Sequence, residues 1–167
     1  MNDSEFDHFY ASTGPRLVGQ LYAMTGDRGE AQDCVQEAFL KAWANRAQLD
    51  VHGNPEAWVR TAARRLSISR WRRATAVLRA YGRHGGPPDA PEPDPARSDL
   101  VAALRRLNPD QRHALVLHYL CDLSVEQIAA ETGSPVGTVK TRLHRGRAAL
   151  AELLGPYSSD REVSPRG

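Results

Sequence analysis

The stretch "HGGPPDAPEPDPARSD", residues 84–99, limits this chain more than any other feature. It is rich in proline, contains glycine, carries acids and has almost nothing to bury, so neither helix nor sheet can run through it. A chain of 167 residues interrupted there leaves two short halves, each able to form a small core of a few elements. The expected architecture is all-α, with two small helical domains joined by a flexible linker. Their expected extents are 1–80 and 98–155, with the linker at 81–97 and a disordered tail at 156–167.

Helix start signals and apolar spacing divide the first half into helices near 6–24, 29–45 and 55–74 or beyond. Asn54 can cap the third helix while Pro55 fills its first turn, where a missing N–H costs nothing. In the second half, 98–107 and 109–120 read as helices, the latter capped by Asn108. Ser124 and Gln127 form a capping box for "VEQIAAET", Gly133 supplies a turn, and Ser134 with Pro135 opens a helix to about residue 154. No strand pattern competes.

The second helix, "DCVQEAFLKAW", places Val35, Ala38, Phe39 and Ala42 on one apolar stripe. Leu40 projects from the opposite side, among Asp33, Gln36, Glu37 and Ala44. A purely solvated surface would be expected to carry Lys or Glu at that position. Trp58 is expected in the core.

Net charge is only +2, but its placement is uneven. Arg60, Arg64, Arg65, Arg70, Arg72, Arg73, Arg79 and Arg83 fall in one acid-free run, and Lys140, Arg142, Arg145 and Arg147 in another. Two basic surfaces on helices point to a polyanion bound at two places. On the helix from Pro55, Arg60, Arg64, Ser67 and Trp71 are expected on one exposed face with Ile68 alongside. A tryptophan among arginines suits unpaired DNA, where a ring stacks on a base and guanidinium groups hold phosphates; packing of Trp71 beneath the linker or first helix is the alternative.

Residues 125–154 have the form of a helix-turn-helix. Val136, Val139, Leu143, Gly146 and Leu150 share the expected buried face of the outer helix. Thr141, His144, Arg145 and Ala148 share the opposite one, flanked by Lys140, Arg142 and Arg147. That basic, carboxylate-free face can enter a major groove.

Other classes find little support. No run approaches the length of a transmembrane helix and the acidic N-terminus is unlike a signal peptide, so a cytoplasmic protein without membrane insertion is expected. Cys34 and Cys121 read as buried free thiols, the six histidines lack metal-ligand spacing, and no nucleophile–base or paired-carboxylate constellation is present. The expectation is a protein with no cofactor, no metal and no enzymatic activity.

Three segments in this order, "DCVQEAFLKAW", "NPEAWVRTAARRLSISRWRR" and "LSVEQIAAETGSPVGTVKTRLHRGRAAL", resemble the extracytoplasmic-function group of bacterial RNA polymerase sigma factors. The resemblance covers roughly residues 5–74 and 98–154. It implies a region-2 domain that docks on the polymerase clamp and melts the minus-ten element, and a region-4 domain that reads the minus-35 element and contacts the flap. Asp33, Gln36, Glu37 and Leu40 then match the clamp-docking helix. Val51, His52, Gly53 and Asn54 match a loop that captures a flipped base, with Arg60, Arg64, Arg65, Ser67 and Trp71 in minus-ten contact and melting. Thr138, Lys140, Thr141, Arg142, His144, Arg145 and Arg147 match the minus-35 reader. The group also implies an anti-sigma partner. The chain departs from the family at Ala62, Arg65 and Ser69, a change that bears on phosphate contact or minus-ten preference. A stand-alone helix-turn-helix regulator, with the first domain used for dimerisation, is the competing reading.

Overall fold

The computed structural model describes residues 1–81 and 98–158, and every regular element among them is an α-helix. The chain divides into two compact units, Met1–Ala96 and Arg97–Gly167. The linker expected at 81–97 lies outside the described residues apart from Tyr81, as does the tail from residue 159.

The first unit holds α1 (Asp3–Thr25), α2 (Arg28–Ala44), α3 (Arg46–His52) and α4 (Pro55–Tyr81). Asn2 and Glu5 form a capping box that starts α1 three residues earlier than apolar spacing alone places it. Asp27 caps α2 through the Glu30 amide. The expected stripe on α2 is buried throughout: Val35 and Phe39 are 3% exposed, Ala38 and Ala42 0%. Small residues let α2 lie close to α1 and α4, and it packs against both. Phe6, Phe9 and Tyr10 of α1 surround Phe39, with ring centroids 6.2, 5.4 and 4.8 Å away, and Phe6 meets Trp43 edge-on at 5.0 Å. Edge-to-face pairs of this kind add about 0.5–1.5 kcal/mol each beyond the area they bury. Trp58, expected in the core, is only half-buried.

The junction between α2 and α4 differs from expectation. Residues 46–52 form a helix where the sequence suggests a loop, anchored by Leu49 at 0% exposure. Gly53 closes it with φ +69°, a left-handed conformation that a side chain would strain. Asn54 accepts the Ala57 amide at 3.0 Å and starts α4 immediately. Helix α4 then runs seven residues past Ala74 to Tyr81.

The second unit holds α5 (Asp99–Arg105), α6 (Pro109–Tyr119), α7 (Val125–Thr132) and α8 (Val136–Ser158). Ser98, Asn108 and Ser124 cap α5, α6 and α7, and the Ser124–Gln127 capping box is complete. Leu117, Val116, Ile128, Val139 and Leu143, all at 2% exposure or less, form its core. Gly146 of α8 lies over Leu115 and Gln111 of α6: a Cβ there would meet Leu115 Cδ1 at 3.1 Å and Gln111 Cβ at 3.3 Å, so the glycine permits the close α6–α8 approach. Val136, expected on the buried face, is 37% exposed, because it sits at the first turn of α8 with no preceding turn to cover it. Residues 156–158, expected in the tail, continue α8.

Candidate nucleic-acid and docking interfaces

Leu40 is 71% exposed on the face of α2 opposite the buried stripe. Asp33 and Gln36 are exposed beside it, and Glu37 is partly covered. A shallow groove of about 400 Å³ opens at Leu40, lined also by Phe6, Asp7, Tyr10, Gln36, Phe39 and Trp43. Sequence reasoning misses Tyr10, which is 45% exposed, and Asp7. Only the packing of α1 on α2 brings them to Leu40, and no local spacing signals that.

Glu37 is held from two sides. Arg70 of α4 donates to its Oε2 at 2.8 Å and Lys41 lies 3.1 Å from its Oε1. The Arg70 hydrogen bond, then that of Lys41, keeps the Glu37 carboxyl below the usual carboxylate range.

On α4 the structure corrects the expected open face. Arg60, Arg64 and Ser67 are 5, 8 and 7% exposed, whereas Trp71 is 61% exposed. The four do share one face, but it is covered until the turn that carries Trp71. Arg60, Arg64 and Ser67 flank Val59 and Ala63, which are 0 and 1% exposed, and an arginine's aliphatic stem allows it to share such a face. Arg60 reaches Glu56 at 4.0 Å, and the Ser67 hydroxyl donates to the Arg64 carbonyl at 2.7 Å. Arg65, Arg72, Arg73 and Arg79 are exposed, Ile68 is half-buried, and Arg73 donates to the Ser69 hydroxyl at 3.2 Å. The exposed α4 surface therefore carries Trp71 with Arg65, Arg72, Arg73 and Arg79, and further along the helix Val77, Leu78 and Tyr81. Val51 and His52 occupy the last turn of α3, with Gly53 and Asn54 at the junction, and all four are exposed, Val51 at 83%.

On α8, Lys140, Thr141, His144, Arg145, Arg147 and Ala148 are exposed, and Val139, Leu143 and Gly146 are buried, as the helical phase predicts. Leu150 and Thr138 are half-buried. The basic residues differ in their freedom. Arg142 donates to the Ser134 hydroxyl at 2.9 Å and lies 3.5 Å from Asp110, and Arg147 donates to the Tyr119 hydroxyl at 3.2 Å. Lys140 and Arg145 make no ion pair among the described residues.

The first unit matches the model of Sigma-70 region 2 over residues 9–77, and the second that of Sigma-70 region 4 over residues 97–150. The chain is 32% identical over 161 residues to the ECF RNA polymerase sigma factor SigW of Bacillus subtilis, covering 83% of each chain. The chain belongs to the ECF group of RNA polymerase sigma factors. It is also 30% identical to ECF sigma factor SigE of Mycolicibacterium smegmatis over 93% of its own length, and spans 63% of that protein. Among solved structures, the sigma factor RpoE from Bartonella quintana, crystallised with the anti-sigma factor NepR, is similar with a TM-score of 0.76 and 29% identity, over 90% of this chain and 97% of that one.

No group of three or more potential metal ligands occurs among the described residues, and neither cysteine is in a disulfide. Cys34 is 0% exposed and its Sγ lies 3.4 Å from Glu30 Oε1. Burial, reinforced by the Glu30 charge, pushes its thiol up to about 12, so it is protonated at neutral and mildly alkaline pH. Cys121 is half-buried rather than buried. At pH 8 a thiol reagent should modify Cys121 in the folded protein and Cys34 only after denaturation, read by mass mapping of the labelled peptides. Labelling of native Cys34 at the Cys121 rate would contradict the burial described.

Proposed function

We propose that this sigma factor binds core RNA polymerase through the α2 face centred on Leu40, with Asp33, Gln36 and Glu37 as its rim and the Tyr10–Asp7 groove beside it. The polymerase clamp is the expected partner of this face, and the flap that of the second unit. Unpaired DNA of the minus-ten element meets the exposed Trp71 and Arg65 on α4 and the Val51–Asn54 junction, with Arg60, Arg64 and Ser67 beneath that surface. Gly53 turns the backbone sharply there, and the exposed His52 and Asn54 present hydrogen-bonding groups to a base edge. Duplex DNA of the minus-35 element is read by α8, where Lys140, Thr141, His144 and Arg145 face outward, with Thr138, Arg142 and Arg147 as flanking contacts.

The observation that carries this reading is a basic, outward surface on each of the two compact units, on α4 of the first and α8 of the second, together with an exposed apolar side chain, Leu40, on α2. An anti-sigma protein is a further expected partner, since the similar RpoE was solved with one. No described helix is long and apolar enough to cross a membrane, and a cytoplasmic location fits a factor that works on promoter DNA. In this role the chain positions polymerase and performs no chemistry itself.

Run-off transcription with core polymerase on genomic promoter fragments tests the proposal. Specific transcripts should require both this protein and core enzyme. Identical initiation by core enzyme with and without it would refute the sigma role. Tight sequence-specific duplex binding by a stable dimer, without polymerase, would instead favour a stand-alone regulator.

A further inference from the structure

Helices α2 and α4 are clamped at one edge by a small ion cluster. Arg70 of α4 donates from Nη2 to Glu37 Oε2 at 2.8 Å, and its Nη1 lies 3.6 Å from Glu30 Oε2. Lys41 completes the group at 3.1 Å from the other Glu37 oxygen. The Arg70 and Glu37 side chains are 32 and 37% exposed, so the cluster sits at the rim of the helix seam, within reach of solvent and of partners. The Glu37 hydrogen bond is the leading cause of a raised Arg70 pKa, which marks the guanidinium as tied chiefly to that carboxylate.

Glu37 and Arg70 belong to different surfaces. Glu37 is on the α2 face that carries Leu40. Arg70 immediately precedes Trp71 on the helix whose exposed arginines, Arg65, Arg72, Arg73 and Arg79, have no acidic partner among the described residues. Unlike these exposed arginines, Arg70 is held by carboxylates among the described residues, and the carboxylate that holds it most closely lies on the docking face. A partly exposed ion pair is weak enough to be exchanged for another cation without unfolding anything.

We infer that Arg70 is a positioning residue through which docking on α2 is coupled to DNA contact on α4: in the free chain Glu37 and Glu30 hold its guanidinium back, and a cationic group of the docked polymerase that engages Glu37 releases Arg70 to a DNA phosphate. The inference rests on the docking role given to α2 above. Coupling of this kind is reciprocal, so DNA on α4 strengthens docking by the factor by which docking strengthens DNA contact.

A double-mutant cycle on the full chain tests this, with anisotropy of a short fluorescein-labelled single-stranded DNA as readout. Glu37→Gln should bind the probe several-fold tighter than the parent, with a plot of log affinity against log salt steeper by about 0.7, the increment of one added phosphate contact to a single strand. In an Arg70→Gln background the same Glu37→Gln change should give no gain, whereas Arg70→Lys, which keeps a cation, should preserve it. With saturating core polymerase the advantage of Glu37→Gln should vanish. A purely structural role for the pair would shift the melting temperature of these variants and leave the salt slope alone. Equal gains in the parental and Arg70→Gln backgrounds would assign the effect to lost negative charge and overturn the inference, as would an unchanged affinity and slope for Glu37→Gln. A gain that persists undiminished with polymerase bound would overturn the link to docking. These free-chain measurements need no polymerase activity, so failure of the sigma role itself would show separately, in the run-off assay.

Discussion

Leu40→Asp is expected to weaken binding of the chain to core RNA polymerase by about 30-fold or more, the size of a central interface anchor worth at least 2 kcal/mol. At 71% exposure the leucine contributes little to the bundle. A change at such a surface position shifts stability by roughly 0.5 kcal/mol or less. Its effect on association is larger for two reasons: the variant removes the apolar centre of the patch, and it adds a carboxylate that must be desolvated beside Asp33, Asp7 and Glu37. Pull-down or fluorescence titration against core enzyme reads the loss. Circular dichroism and duplex binding by the second unit should remain at parental values. Unfolding of the variant would place Leu40 in the core, and unaltered polymerase affinity would remove α2 from the docking surface.

The same helix shows why part of this chain can be read without its structure. Val35, Ala38, Phe39 and Ala42 recur at helical spacing over two turns, which fixes the phase of α2 and therefore identifies Leu40 as its outlier. The caps of α6 and α7 and the outward face of α8 follow from equally local chemistry. Helix α3 escapes such a reading because its apolar residues, Ala47, Leu49 and Val51, fall at alternate positions rather than at helical spacing, and only Leu49 is buried. Arg60, Arg64 and Ser67 look open in the sequence for a related reason. Periodicity counts apolar residues, and on α4 the inward face carries arginine and serine beside the small Val59 and Ala63, so the polar side chains mask its direction. The Tyr10–Asp7 margin of the groove and the Arg70–Glu37 clamp are long-range contacts between helices. Neither leaves a mark on any window of sequence.

The double variant Lys140→Ala, Arg145→Ala should lower affinity for minus-35 duplex by about 2–6 kcal/mol, if each side chain supplies the 1–3 kcal/mol of a good base contact, with a corresponding fall in transcripts from promoters that depend on that element. These two residues are the informative pair on α8 because nothing in the folded unit occupies them. Both are exposed and make no ion pair among the described residues, and alanine favours the helix, so the recognition helix should persist. Arg142 and Arg147 would give a mixed result. Replacing Arg142 also removes its bonds to Ser134 and Asp110, which tie the start of α8 to the turn before it and to α6, and replacing Arg147 removes a bond to Tyr119. The loss in the double variant should include a shallower salt dependence, by about 0.9 for each phosphate contact removed from duplex DNA. A change in slope without a change in preference between promoter sequences would make Lys140 and Arg145 phosphate contacts, leaving base reading to Thr141 and His144. Unaltered duplex affinity, slope and promoter choice would mean that α8 does not enter the groove by this face.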